Sequence, residues 1–140
     1  MDAWRSAHLI VLGLWGGLVA AEGVVELAPR SDEARRFSAE LHYWMDMLVE
    51  LPVLAAVLAT GVVLAARAWP LSPLHWVKIA AGLVAVSANL GCVAHVVLRR
   101  RRIGDLSQLR HHGRRVRLTA SVGLPFAAVA LYVGLAYFAR

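Results

Sequence analysis

Apolar residues in this chain come in four long stretches, roughly His8–Leu27, Met45–Ala66, Trp76–Leu98 and Leu118–Ala139, parted by short polar segments. Each stretch has the length of about 20 residues that a helix needs to cross a hydrocarbon core of about 30 Å. Lipid offers the backbone no hydrogen bonds, so a spanning segment must satisfy its own N–H and C=O groups as a helix. The pattern therefore predicts an all-α fold: an integral membrane four-helix bundle, up-down-up-down, forming a single domain. Its helices are expected at about 7–27, 38–67, 73–98 and 117–139, the second beginning near Ser38 with an amphipathic entry.

Composition agrees with this reading. Of 140 residues 59% are hydrophobic, and the mean hydropathy is +0.60, well above the usual apolar share of a soluble domain. Leu9–Ala21 has the length of a signal-peptide core, but Asp2 beside Arg5 spoils the basic region before it, so the segment reads as the first span. The single cysteine, Cys92, lies within an apolar stretch, which excludes a disulfide framework and a thiolate-only metal site. Gly13, Gly16, Gly17, Gly61, Gly82 and Gly91 read as points of close helix packing.

Charge supplies an orientation. The net charge is +6. The first connection carries Arg30, Arg35 and Arg36, and the third carries Arg99, Arg100, Arg101, Arg102, Arg110, Arg114, Arg115 and Arg117. The opposite end has Arg5, Arg67, Lys78 and Arg140. Basic loops stay in the cytoplasm, so both termini are expected on the non-cytoplasmic side of a multi-pass protein, in the bacterial inner (plasma) membrane. Trp4, Trp69 and Trp76 at one end and Tyr43 and Trp44 at the other suit interfacial belts. The expected partners are the lipid bilayer, with anionic lipids at the basic connections, and a second copy of the chain in a homo-oligomer. Nucleic acid is not expected, because the basic segments lack aromatic residues for base stacking. His111 and His112 are expected to be solvated there.

The informative residues are the ionisable ones inside the spans, since such groups are costly in a membrane and mark function by default. The first span carries Glu22 and Glu26, with His8 and Trp15 at seven-residue steps before Glu22. The second carries His42, Asp46 and Glu50 at four-residue steps, which line one helical face. The third carries Asn89, Cys92 and His95 at three-residue steps. With alternating helix directions, all of these reach the same, cytoplasmic half of the bundle. At 1.5 Å per residue, Glu22 and Glu50 fall within about 10 Å of its boundary.

Several carboxylates without a lysine among them need a counter-charge, either a metal ion or protons. Carboxylate and imidazole together suit iron, zinc or manganese. The expected metal ligands are Glu22, Glu26, His42, Asp46, Glu50 and His95, with Asn89 and Cys92 as secondary candidates. The stripe reads His-x-x-x-Asp-x-x-x-Glu and not the Glu-x-x-His of di-iron bundles. A metal there would serve an oxidoreductase or hydrolase acting on a lipid-soluble substrate. A competing structural reading pairs Glu26 with Arg30, Arg35 or a snorkelling Arg99. Two further functions stay open. One is electron transfer through quinone or haem, with His8 and His75 as haem ligands at the outer face. The other is cation or proton transport, against which the nearly bare outer half argues.

Overall fold

The computed structural model describes residues 2–138. These form helices joined by short turns: α1 (Ala3–Leu27), α2 (Asp32–Met45), a five-residue π turn (Asp46–Glu50), α3 (Leu51–Arg67), α4 (Pro73–Arg101) and α5 (Leu106–Phe138). α2, the π turn and α3 make one continuous helix, so four helices are long and apolar enough to cross a membrane. No strand occurs among the described residues.

Local chemistry sets the ends. Pro29 follows the last turn of α1 and cannot continue it. Ser31 caps α2 by accepting the Ala34 N–H at 3.1 Å, and Asp32 and Glu33 sit in the first turn, where carboxylates complement the helix dipole. Ser72 precedes Pro73 at the start of α4. The Asp105 carboxylate accepts the N–H groups of Ser107 at 2.9 Å and Gln108 at 3.2 Å, together with the Ser107 hydroxyl, and so opens α5. These bonds hold the Asp105 carboxyl below the usual carboxylate range, the Ser107 hydroxyl contributing most.

Two boundaries differ from the hydropathy reading. The second helix starts at Asp32 and not near Ser38, and the fourth at Leu106 and not near 117. In both cases a capped, charged helical segment precedes the apolar part. The expected arginine-rich third connection shrinks accordingly to a turn around Arg102–Asp105. Arg99, Arg100 and Arg101 finish α4, while Arg110, Arg114, Arg115 and Arg117 lie on the first turns of α5. The expected end of the last helix at 139, and Arg140, lie outside the described residues.

α1 runs antiparallel to the second helix: His8 meets Thr60, Trp15 meets Glu50, and Glu22 meets His42. α4 and α5 pair in the same way, through His95 with His112, Cys92 with Thr119, and Ala88 with Gly123. A Cβ built on Gly123 would lie 2.9 Å from the Ala88 Cβ, so this glycine lets the two helices touch. By contrast, Gly13, Gly16, Gly17 and Gly82 have open space where a Cβ would go, so their expected packing role does not hold. Gly61 and Gly91 make ordinary contacts, with the His8 ring and the Thr119 methyl. Gly123→Ala is accordingly expected to destabilise the protein by about 1–3 kcal/mol through overpacking, whereas Gly13→Ala should not. Thermal unfolding in detergent checks both.

Trp15, Leu54, Val57, Ala85 and Val86 form a buried apolar plug across the middle of the bundle. On one side of it an apolar cavity of about 380 Å³ opens between the α1–α3 and α4–α5 pairs, with His8, His75 and Lys78 among its lining residues. On the other side lie the polar residues.

Candidate metal centre

The site is built where α1 meets the end of α2 and the π turn, with α4 alongside. Four-residue steps in an α-helix overshoot one turn by about 40°, so an unbroken helix would swing Glu50 about 80° from His42. In the π turn the Leu51 N–H reaches back five residues to the Asp46 carbonyl. The wider turn makes the step from Asp46 to Glu50 undershoot instead, which returns Glu50 to the shared face. Pro52 follows at once. It has no N–H, and its ring clashes with the carbonyl four residues back in a regular helix, which explains why the wide turn falls here. The helix irregularity set by Pro52 thus keeps the polar stripe on one face.

His42, Asp46 and Glu50 are buried, and α1 brings buried Glu22 against them. His42 Nε2 lies 3.5 Å from Asp46 Oδ1 and 3.9 Å from Glu22 Oε2. Ligand atoms of Glu22, His42 and Asp46 all come within 4.8 Å of one another. Both oxygens of Asp46 and Oε1 of Glu22 are buried without a hydrogen-bond partner, a costly arrangement for a carboxylate. A tetrahedral ion with bonds of about 2.0–2.1 Å holds its ligand atoms about 3.4 Å apart. The His42–Asp46 separation already matches that spacing, and the His42–Glu22 separation needs a contraction of a few tenths of an ångström. Glu22, His42 and Asp46 together could hold a metal ion.

The other expected ligands surround this group. Glu26 belongs to an ion-pair system: Arg99 Nη1 donates to its Oε2 at 2.6 Å and Arg117 Nη1 to its Oε1 at 3.3 Å. Glu50 Oε1 accepts the Trp15 indole N–H at 3.1 Å, and the buried Asn89 amide nitrogen faces Glu50 from α4. His95 does not join the carboxylates. It turns to α5, its Nδ1 lying 3.4 Å from Nδ1 of His112, so His112 is only half-exposed and not solvated like His111. Cys92 likewise turns to α5, where its Sγ lies 3.0 Å from the Thr119 hydroxyl. His8 bonds Thr60 at 2.7 Å and His75 bonds Ser72 at 2.8 Å, both through Nδ1.

His42 links the two systems through the two nitrogens of its ring. Its Nδ1 lies 3.3 Å from Arg99 Nη2 and 3.5 Å from Glu26 Oε2. Arginine can only donate, so a bond from Arg99 puts the imidazole proton on Nε2, facing Asp46. Moving that proton to Nδ1 turns it toward Glu26 and frees Nε2 as a ligand, the carboxylate–histidine–metal arrangement. Buried Arg99 is therefore the residue that sequence reasoning weighed only as a snorkelling partner. No sequence signal marked it, because the residues one and two turns before it, His95 and Cys92, turn to α5.

No family model matches this chain, and neither a curated protein nor a solved structure matches it significantly.

Proposed function

We propose that this is a multi-pass membrane protein that holds one transition-metal ion through Glu22, His42 and Asp46, with Glu50 and Glu26 as supporting carboxylates. Its basic helix ends would face the cytoplasm and both termini the opposite side, in keeping with the arginines gathered at one end of the bundle. One observation carries the metal reading: three buried ligand atoms lie together, and neither Asp46 oxygen has a hydrogen-bond partner. A divalent ion offsets two of the three clustered negative charges of Glu22, Asp46 and Glu50, where like charges cannot all persist in a low dielectric. Glu26 already has its counter-ions in Arg99 and Arg117.

Iron, zinc and manganese all accept this donor set. When bound, such an ion supplies Lewis acidity at its open position. A lipid-soluble substrate agrees with the apolar cavity, because Trp15 both lines that cavity and donates to Glu50. The transport reading is disfavoured by the apolar plug of Trp15, Leu54, Val57, Ala85 and Val86, which interrupts any polar path.

Elemental analysis tests the proposal on full-length protein, purified in detergent without chelator after growth with iron, zinc and manganese. About one metal per chain is expected, with loss of most of it in His42→Ala. Metal-free wild type under those conditions would refute the metal centre.

A further inference from the structure

Beside the carboxylates, but separated from them by the His42 ring, a second cavity opens at the basic end of the bundle. It has a volume of about 230 Å³ and lies among the end of α1, α2, α4 and α5. We propose that this cavity is a binding site for a phosphate group, recognised by Arg35, Arg99, Arg110 and Arg117, either free or as the headgroup of an acidic phospholipid. The inference stands independently of the metal centre.

Three observations carry it. First, charge: four guanidinium groups from three helices line the cavity and Glu26 is the one acidic residue in its lining. Asp32, paired with Arg110 at 3.1 Å and Arg35 at 4.0 Å, is not part of the lining. Second, an unmet donor: Arg99 is 4% exposed, and its Nε is buried without a partner while Nη1 and Nη2 serve Glu26 and His42. A buried N–H on a planar guanidinium is costly unless something accepts from it, and a phosphate oxygen matches that fork. Third, close approach: a Cβ on Gly113 would lie 2.8 Å from Glu26 Oε1 and 3.4 Å from Arg99 Nη1, so only glycine lets α5 seat against this ion pair and bring Arg110 and Arg117 to the same cavity.

Size and depth narrow the ligand. The cavity is smaller than the range of about 300–1,000 Å³ that drug-sized ligands need, so it suits a phosphate head and not a nucleotide. α2 shows Phe37, Leu41 and Trp44 on its outer surface while its buried residues face the bundle, as expected of a helix lying at headgroup level.

The test must separate a built site from the diffuse attraction of any basic surface to acidic membranes. Full-length protein is titrated with inorganic phosphate in detergent, and is also placed in nanodiscs of phosphatidylcholine with and without phosphatidic acid, retained lipid being counted by native mass spectrometry. Arg35→Ala/Arg110→Ala removes two rim residues whose side chains are 39% and 61% exposed, so folding should not suffer. Arg36→Ala/Arg101→Ala removes the same charge from the same end, outside the cavity. Saturable binding is expected to weaken about tenfold or more in the first double variant and to persist in the second. Retention of phosphatidic acid without uptake of inorganic phosphate identifies a lipid headgroup, and uptake of inorganic phosphate identifies the free group. The proposal is overturned if neither probe binds saturably, if the first variant binds like the wild type, or if both variants lose binding equally.

Discussion

Arg99→Leu is expected to lower stability by about 3–5 kcal/mol, because removing one partner of a buried ion pair strands the other charge. The Glu26 side chain is 7% exposed, and Arg99 is its closest counter-ion at 2.6 Å. Arg117 also reaches Glu26, at 3.3 Å, but is itself 45% exposed and screened by solvent, so it cannot replace the lost charge. Two companion variants make the result specific. Arg99→Leu/Glu26→Gln should recover most of the loss, since the stranded charge is gone. Arg117→Ala should cost no more than about 1 kcal/mol. Unfolding in a denaturing-detergent titration reads all three. A single Arg99 variant as stable as the wild type would show that the Glu26 pair does not hold α1 to α4.

For Asp46→Asn the expected result is loss of metal-linked stabilisation. A ligand that binds only the folded state adds about 2.7 kcal/mol at one hundred times its dissociation constant. Wild-type protein should therefore melt higher with the bound metal than after chelation, and Asp46→Asn should melt at the same temperature in both. Without metal the variant should match or exceed the chelated wild type, because the amide keeps the carboxylate's shape and removes one of several like charges beside Glu22 and Glu50. A purely structural network predicts the opposite sign, with asparagine destabilising whether or not metal is present. Metal binding to this carboxylate–imidazole set displaces protons, so affinity should rise with pH.

How far the sequence disclosed all this varies by residue. The four spans follow from apolar length, and the convergence of Glu22 with His42 and Asp46 follows from four-residue spacing and alternating helix direction. The starts of α2 and α5 were hidden because hydropathy is blind to charged helix, although Ser31 with Asp32 and Glu33, and Asp105 three residues before Gln108, are capping patterns. Side-chain direction on α4 was not legible. Three-residue steps grouped Asn89, Cys92 and His95, but that face is divided in three dimensions. Asn89 turns to Glu50, and Cys92 and His95 turn to α5, because the small residues Ala88 and Gly123 draw α5 close. Arg99 escaped a central role because an arginine at a helix end ordinarily reaches for water. Only the packing of α1 and α2 against it shows that it points inward.

The wide turn before Pro52 has a consequence for how this chain can change. It acts as a phase shifter within one span: the segment before it carries His42, the turn itself carries Asp46 and Glu50 at its two ends, and the segment after it carries the plug residues Leu54 and Val57. The turn itself can absorb the loss of a residue by closing to a regular turn, but loss of one apolar residue from the regular helix that follows, Ala55 or Ala56, has no such slack, although the span would stay long enough and greasy enough to insert. It would nevertheless rotate everything downstream by about 100° and draw it back by about 1.5 Å, separating Val57 from the plug and Thr60 from His8. Insertion and function are therefore written in different variables here: hydropathy governs the first, and chain length counted to the single residue governs the second.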